Sequence, residues 1–127
     1  MSGIGKLSLV LHSGDYSRMH YALVMASAAA AIGKPVTILF AGASVLALAK
    51  TWRMPDEDHR VKALRVAGFE ELLIACRDLG VRMLVCETAL ALAELKPAQL
   101  RSDLNLETAG AVTFLNDGSA GGEMVFV

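Results

Sequence analysis

No excess of either charge runs through this sequence: twelve lysines and arginines stand against thirteen aspartates and glutamates, scattered along 127 residues. A chain without a basic stripe has no electrostatic footprint for a phosphate backbone or an anionic lipid surface. Nucleic acid and membrane are therefore not expected as partners. Cysteine is scarce, with two in the chain. The first residues carry one early lysine and only a short apolar run, residues 7–11, too little for the apolar region of a signal peptide. Two free thiols in a reducing, cytoplasmic setting are the expectation. Geometry argues the same way. A helix bearing Cys76 and ending near Gly80, followed by a strand ending at Cys86, sets the two about 10 Å apart along the layer. A disulfide tolerates about 7 Å between Cα atoms.

Long unbroken hydrophobic runs are also missing. The most apolar stretch, residues 21–49, is interrupted near its middle by Gly33, Lys34 and Pro35, so neither half reaches the roughly 20 residues of a spanning helix. A lysine beside a proline at the bilayer centre would be costly. The stretch reads as a helix followed by a buried strand. The glycines form neither G-x-G-x-x-G nor G-x-x-x-x-G-K-[ST], which leaves nucleotide binding without a motif. There is no G-x-S-x-G elbow, and Ser13 and Asp15 have no partner histidine in a hydrolase order. Two cysteines with nine residues between them and three scattered histidines match no zinc-site spacing. No metal and no cofactor are expected.

What is present in surplus is apolar side chain, 54% of the residues against about 45–50% in ordinary soluble domains. The length suits one domain, residues 1–127. So small a core cannot absorb the whole surplus, which predicts a homo-oligomer.

The pattern along the chain alternates strand and helix. Residues 6–11 read as a buried strand that breaks at His12, Ser13, Gly14 and Asp15. Asp15 or Ser17 caps an alanine-rich helix stopped by Gly33. Residues 36–40 read as a second strand and 44–50 as a short helix. The charged run 51–62 reads as a long loop. Phe69, Leu72, Leu73, Cys76 and Leu79 recur at helical spacing up to Gly80. Residues 81–85 follow as a third strand, 87–95 as a short helix and 97–100 as a further helical turn. Residues 106–108 read as a brief strand, 109–115 as a last helix and 123–127 as a terminal strand. Strands that are apolar throughout indicate a parallel sheet covered on both faces. The predicted fold is α/β, a three-layer sandwich on a mostly parallel five-stranded sheet of flavodoxin-like type.

Ligands of such sheets bind beyond the carboxyl ends of the strands. This selects His12, Ser13, Gly14 and Asp15 after the first strand, Gly42 after the second, and Cys86, Glu87 and Thr88 after the third. In the common order 2-1-3-4-5, strands one and three are neighbours, and Cys86 then faces the Ser13 and Gly14 backbone. A thiol at a helix start is drawn toward the thiolate by the helix dipole, whereas the Glu87 carboxylate opposes ionisation. Cys86 is thus either a reactive thiol or a small buried hydrophobe. His12 is either a partner for a thiolate or a hydrogen-bonded structural histidine. His20 is placed on the first helix, and His59 is solvated. Cys76 belongs to an apolar helix stripe and reads as core, as do Met19, Met25, Met54, Met83 and Met124.

The segment LLIACRDLGVRMLVCET, from Leu72 to Thr88, resembles the DsrE/DsrF-like family, with Cys76, Gly80, Val81 and Cys86 at that family's helix cysteine, Gly-Val pair and strand-end cysteine. Ala109, Gly110, Ala111, Val112 and Phe114 are similar to its glycine-containing last helix. The resemblance implies a parallel α/β fold, trimers or hexamers, and persulfide sulfur carried on Cys86. A small sulfur-carrier protein or a rhodanese-like donor is the implied partner. The expected function is sulfur carrier or sulfurtransferase-like chemistry at Cys86, with His12, Ser13, Gly14, Asp15, Gly42, Glu87 and Thr88 around the substrate. The alternative is a non-catalytic oligomeric module that binds a small ligand or partner protein in the strand-end crevice. In the expected assembly, residues 44–50 bury Val45, Leu46 and Leu48 between subunits, and residues 124–127 lie in the sheet or near a subunit contact.

Overall fold

The computed structural model describes residues 5–118 and 121–127. Strand β1 (Leu7–Leu11) is followed by helix α1 (Tyr16–Ala31), whose N-cap is Asp15. The Asp15 carboxylate accepts a hydrogen bond from the Arg18 amide at 3.1 Å, which satisfies one of the free donors of the first turn. Gly33, at φ 91°, turns the chain out of α1 and into β2 (Val36–Phe40), a five-residue strand buried throughout. A 3₁₀ segment (Gly42–Leu48), α2 (Glu57–Ala63) and α3 (Phe69–Asp78) lead to β3 (Arg82–Cys86). Helix α4 (Glu87–Leu92), a 3₁₀ turn (Pro97–Gln99), β4 (Glu107–Ala109), α5 (Ala111–Gly118) and β5 (Glu123–Phe126) complete the order.

All strand pairings are parallel, in the order β4-β3-β2-β1-β5. The α/β layering predicted from the buried strands is present, with helices on both faces of the sheet. Leu9, Leu11, Ile38, Phe40, Met83 and Val85 point to the side of α1 and α3 and form the larger core. Leu39 and Leu84 point the other way, onto Ala109 and Phe114. This follows from connection chirality. The links from β1 through to β4 all step in one direction and lie on one face, and the return to β5 crosses on the other.

The strand order departs from 2-1-3-4-5. Each early crossover, whatever its length, returns the chain to the adjacent position, so β2 separates β1 from β3, and Cys86 does not face Ser13 and Gly14 across a crevice. The run 51–62, expected as loop, contains most of α2. Its apolar signal is weak because the helix is largely solvated, but Glu57 and Asp58 in its first turn and Arg60 and Lys62 in its last complement the helix dipole. Asp58 anchors it: its buried carboxylate accepts from the Tyr16 hydroxyl at 2.5 Å and from the Phe69 amide at 2.9 Å.

Val45 and Leu48, assigned above to a subunit interface, are fully buried in the chain's own core, and only Leu46 is exposed. The 3₁₀ geometry turns them inward beneath the sheet end. Met19 and Met83 are core as expected, whereas Met25, Met54 and Met124 are exposed. Among the described residues no helix is long and apolar enough to cross a membrane.

Candidate functional site

The carboxyl ends of β1, β2 and β3 surround a cavity of about 430 Å³. Cys86 is the last residue of β3 and pairs with Ala109 of β4. It is also the N-cap of α4, in extended backbone, and its side chain makes no capping hydrogen bond. Serine, threonine, aspartate or asparagine would ordinarily occupy such a position, since a side-chain oxygen there stabilises the helix. Cysteine forgoes that contribution and presents a half-buried thiol to the cavity.

His12, the first residue beyond β1, lines the same cavity. Its amide donates to the Val127 carbonyl at 3.1 Å, and its ring stacks on Phe126 with centroids 5.7 Å apart. Gly42, at φ 50°, forms part of the floor. A side chain there would meet both the His12 ring nitrogen Nε2 and the His12 carbonyl oxygen at 2.6 Å. Only glycine allows this backbone conformation and this approach together. The adjoining 3₁₀ segment is fastened by Ser44, whose hydroxyl lies 2.6 Å from the Leu11 carbonyl and 2.8 Å from that of Ala41.

Of the residues selected from the sequence, the structure thus brings together His12, Gly42, Cys86 and Thr88 in one lining. Ser13, Gly14, Asp15 and Glu87 lie outside it. The Ser13 amide is engaged by the Val127 carbonyl, and its hydroxyl accepts from the Asp15 amide. Gly14 lets the loop rest on Ala43, where a Cβ would come within 2.8 Å of the alanine Cβ. Asp15 serves as the α1 cap. The Glu87 carboxylate is exposed and turns toward Gly110, whose Cβ position lies 3.5 Å from Oε1. The run 51–62 contributes nothing to the lining.

Sequence reasoning missed Leu46, Ala89, Leu92 and Ala93, which supply much of the wall. Nothing in their helical spacing distinguishes a wall from a core. Cys76 is fully buried on α3, with its sulfur 4.0 Å from the Leu23 carbonyl. Burial pushes its thiol up to about 12, which leaves negligible thiolate near neutral pH. His20 is held at 2.8 Å from the Ala67 carbonyl and stacks on Tyr16, and His59 is exposed on α2.

The sequence profile of the DsrE/DsrF-like family matches residues 6–120, from just before β1 through α5. The chain belongs to the DsrE/DsrF-like family. No curated protein matches it. Among solved structures, it is similar to a conserved protein of unknown function, BT1422 from Bacteroides thetaiotaomicron. That likeness has a TM-score of 0.66 and 14% identity over 96% of this chain and 94% of the other. The ychN protein from E. coli matches with a TM-score of 0.60 and 12% identity over 97% and 98% of the two chains. A protein of unknown function from Methanobacterium thermoautotrophicum, MTH1491, matches at 0.58 and 13% over 98% and 99%. At these identities the likeness carries the DsrE-like fold and leaves the chemistry to the site.

Proposed function

We propose that this DsrE-like protein is a sulfur carrier or sulfurtransferase-like protein of a reducing cytoplasm, with Cys86 as the group that bears sulfane sulfur. Membership of the family supports a sulfur-relay-like role at the level of the family. The observation that carries the reading to this residue is the position of Cys86: an uncapped N-cap thiol, half-buried, opening onto a cavity shared with His12. The Cys86 thiolate attacks the outer sulfur of a persulfide donor and becomes a persulfide. His12 and Thr88 are the polar side chains that meet the incoming group, and Gly42 holds the space the His12 ring needs. Ser13, Gly14 and Asp15 shape the loop that carries His12, and Glu87 lies beside the thiol without facing the cavity.

Incubation with a persulfide donor followed by intact-protein mass measurement tests the reading. Wild type and Cys76→Ser are expected to gain one sulfur atom, and Cys86→Ser none. Equal gain on Cys86→Ser, or no gain on wild type, overturns it.

The same proposal includes assembly, as a trimer or hexamer that receives sulfur from a small carrier protein or a rhodanese-like donor. Tyr21 and Met25 on α1, Ile32 at its C-cap and Val125 on β5 leave apolar surface exposed along one flank, next to a sheet edge with no second neighbour among the described residues. Light scattering at low concentration is expected to give a multiple of the 13.4 kDa chain mass. The mass of one chain overturns the assembly.

A further inference from the structure

Among the described residues, the cavity beside Cys86 is lined by no lysine and no arginine, and the polar side chains of its lining are the Cys86 thiol, the His12 imidazole and the Thr88 hydroxyl. The rest of the wall is the backbone and methyl groups of small residues, with Leu46 and Leu92 at the rim. Both leucines are exposed, Leu46 to 46% and Leu92 to 82%, so they hold apolar surface at the mouth that the fold itself leaves uncovered. The nearest carboxylate in sequence, Glu87, adds negative charge next to the thiol and offers nothing to an anion. Several of the chain's cations are engaged elsewhere: Lys6 and Arg82 with Asp117, Lys62 with Asp58, and Arg101 with Glu70 and Asp103.

Moving an anion from water into an apolar site without a paired cation is strongly unfavourable. A donor such as thiosulfate, or a persulfide on a carboxylate-bearing peptide, would lose its hydration and gain no ion pair here. An uncharged hydrocarbon group gains free energy from the same wall, about 25 cal/mol for each Å² of apolar surface removed from water. The volume of about 430 Å³ lies toward the lower end of small-molecule pockets, which run from about 300 to 1,000 Å³.

We infer that Cys86 exchanges sulfur with a low-mass, uncharged aliphatic or aromatic thiol, whose hydrocarbon part sits between Leu46 and Leu92. This rests on the sulfur-carrier reading of Cys86 above and puts a small molecule in place of the protein donor named there. In the step, the Cys86 thiolate attacks the terminal sulfur of R–S–SH. A bond forms between Sγ and that sulfur, and the S–S bond of the donor breaks. Its electron pair leaves on R–S⁻, which takes a proton from solvent or from His12. The products are the Cys86 persulfide and the free thiol, with no net oxidation. The reverse reaction loads an apolar acceptor thiol.

The test compares benzyl persulfide, glutathione persulfide and thiosulfate as donors to the full chain. The rate of sulfur addition to Cys86 is followed by mass and normalised to the rate of each donor with N-acetylcysteine. The expected result on wild type is a normalised rate at least about tenfold higher for benzyl persulfide, because its hydrocarbon ring leaves water on entering the cavity. Leu92→Arg, at an exposed rim position, is expected to shrink or reverse that preference. Sulfur addition at Cys86 without preference for the apolar donor, or a preference unmoved by Leu92→Arg, overturns the inference and leaves the carrier reading standing. No addition from any donor removes both.

Discussion

Cys76 and Cys86 are ten positions apart, and the fold gives them opposite surroundings. Cys76 sits on the face of α3 that meets α1, sealed from water, with its thiol pushed up to about 12 by burial. Cys86 ends β3, takes a capping position without capping, and opens onto a cavity. Helix periodicity decides the first. A residue on the apolar stripe with Phe69, Leu72 and Leu73 has nowhere to point but the core. Strand termination decides the second. At the carboxyl end of a parallel strand the chain must leave the sheet, so the last side chain lies where ladder and core both stop. The contrast teaches that access to solvent here is assigned by position in the layer, since the two residue types are identical.

The largest effect expected from that contrast is in alkylation. With iodoacetamide near pH 7, Cys86 reacts from the native state, whereas Cys76 must wait for an opening populated at about 10⁻³ to 10⁻⁶. Peptide mapping over time is expected to show Cys86 modified at least about a thousandfold faster, and the Cys76 rate to rise with denaturant. Comparable rates would mean that the packing of α3 against α1 is looser than the fold implies, and an unreactive Cys86 would return it to a packing role.

Next in size is the effect of replacing each sulfur by oxygen. Cys76→Ser buries a hydroxyl beside a single distant carbonyl and is expected to destabilise by about 2 kcal/mol. Cys86→Ser supplies the side-chain oxygen that the α4 N-cap lacks, and is expected to stabilise by up to about 1 kcal/mol while losing sulfur binding. Urea midpoints measure both. Equal losses at the two sites would show that Cys86 is packed as tightly as Cys76 and would weaken the proposed trade of stability for reactivity.

The placement of the two cysteines, on a helix stripe and at a strand end, was legible in the sequence, as was the layering, whereas the openness of Cys86 was not. Cys76 falls on a regular apolar stripe, and Cys86 follows a buried strand, patterns that local periodicity carries. The order of the strands was not legible, because β1, β2 and β3 are all buried apolar runs and no residue type distinguishes a central neighbour from the next strand but one. Helix α2 was hidden because it faces solvent on most sides and makes its main attachment through one buried carboxylate, Asp58. The cavity was half legible. His12, Gly42, Cys86 and Thr88 follow from the strand-end rule. Leu46 and Leu92 follow only from the turn of a 3₁₀ segment and the direction of a six-residue helix, which tertiary packing decides.

The smallest expected effect lies in alkaline solution and isolates the buried thiol. The Cys76 thiol is raised by burial from 9.0 to about 12 in the folded chain, so the unfolded chain releases this proton first as pH rises. The stability it contributes is whole below pH 9 and is lost as pH climbs through the folded value, because unfolding then frees a thiolate that the core cannot hold. Tyr16, raised above its ordinary value by burial and by its hydrogen bond to Asp58, adds a similar slope that begins nearer pH 10. Cys76→Ala removes the thiol and keeps the tyrosine. The stability difference between wild type and Cys76→Ala, read from urea midpoints, is therefore expected to be constant up to about pH 8 and to narrow by about 1 kcal/mol at pH 10. A difference that stays constant to pH 11 would mean that Cys76 ionises in place, with water reaching the α1–α3 contact, and the distinction between a sealed and an open thiol would fail at its sealed end.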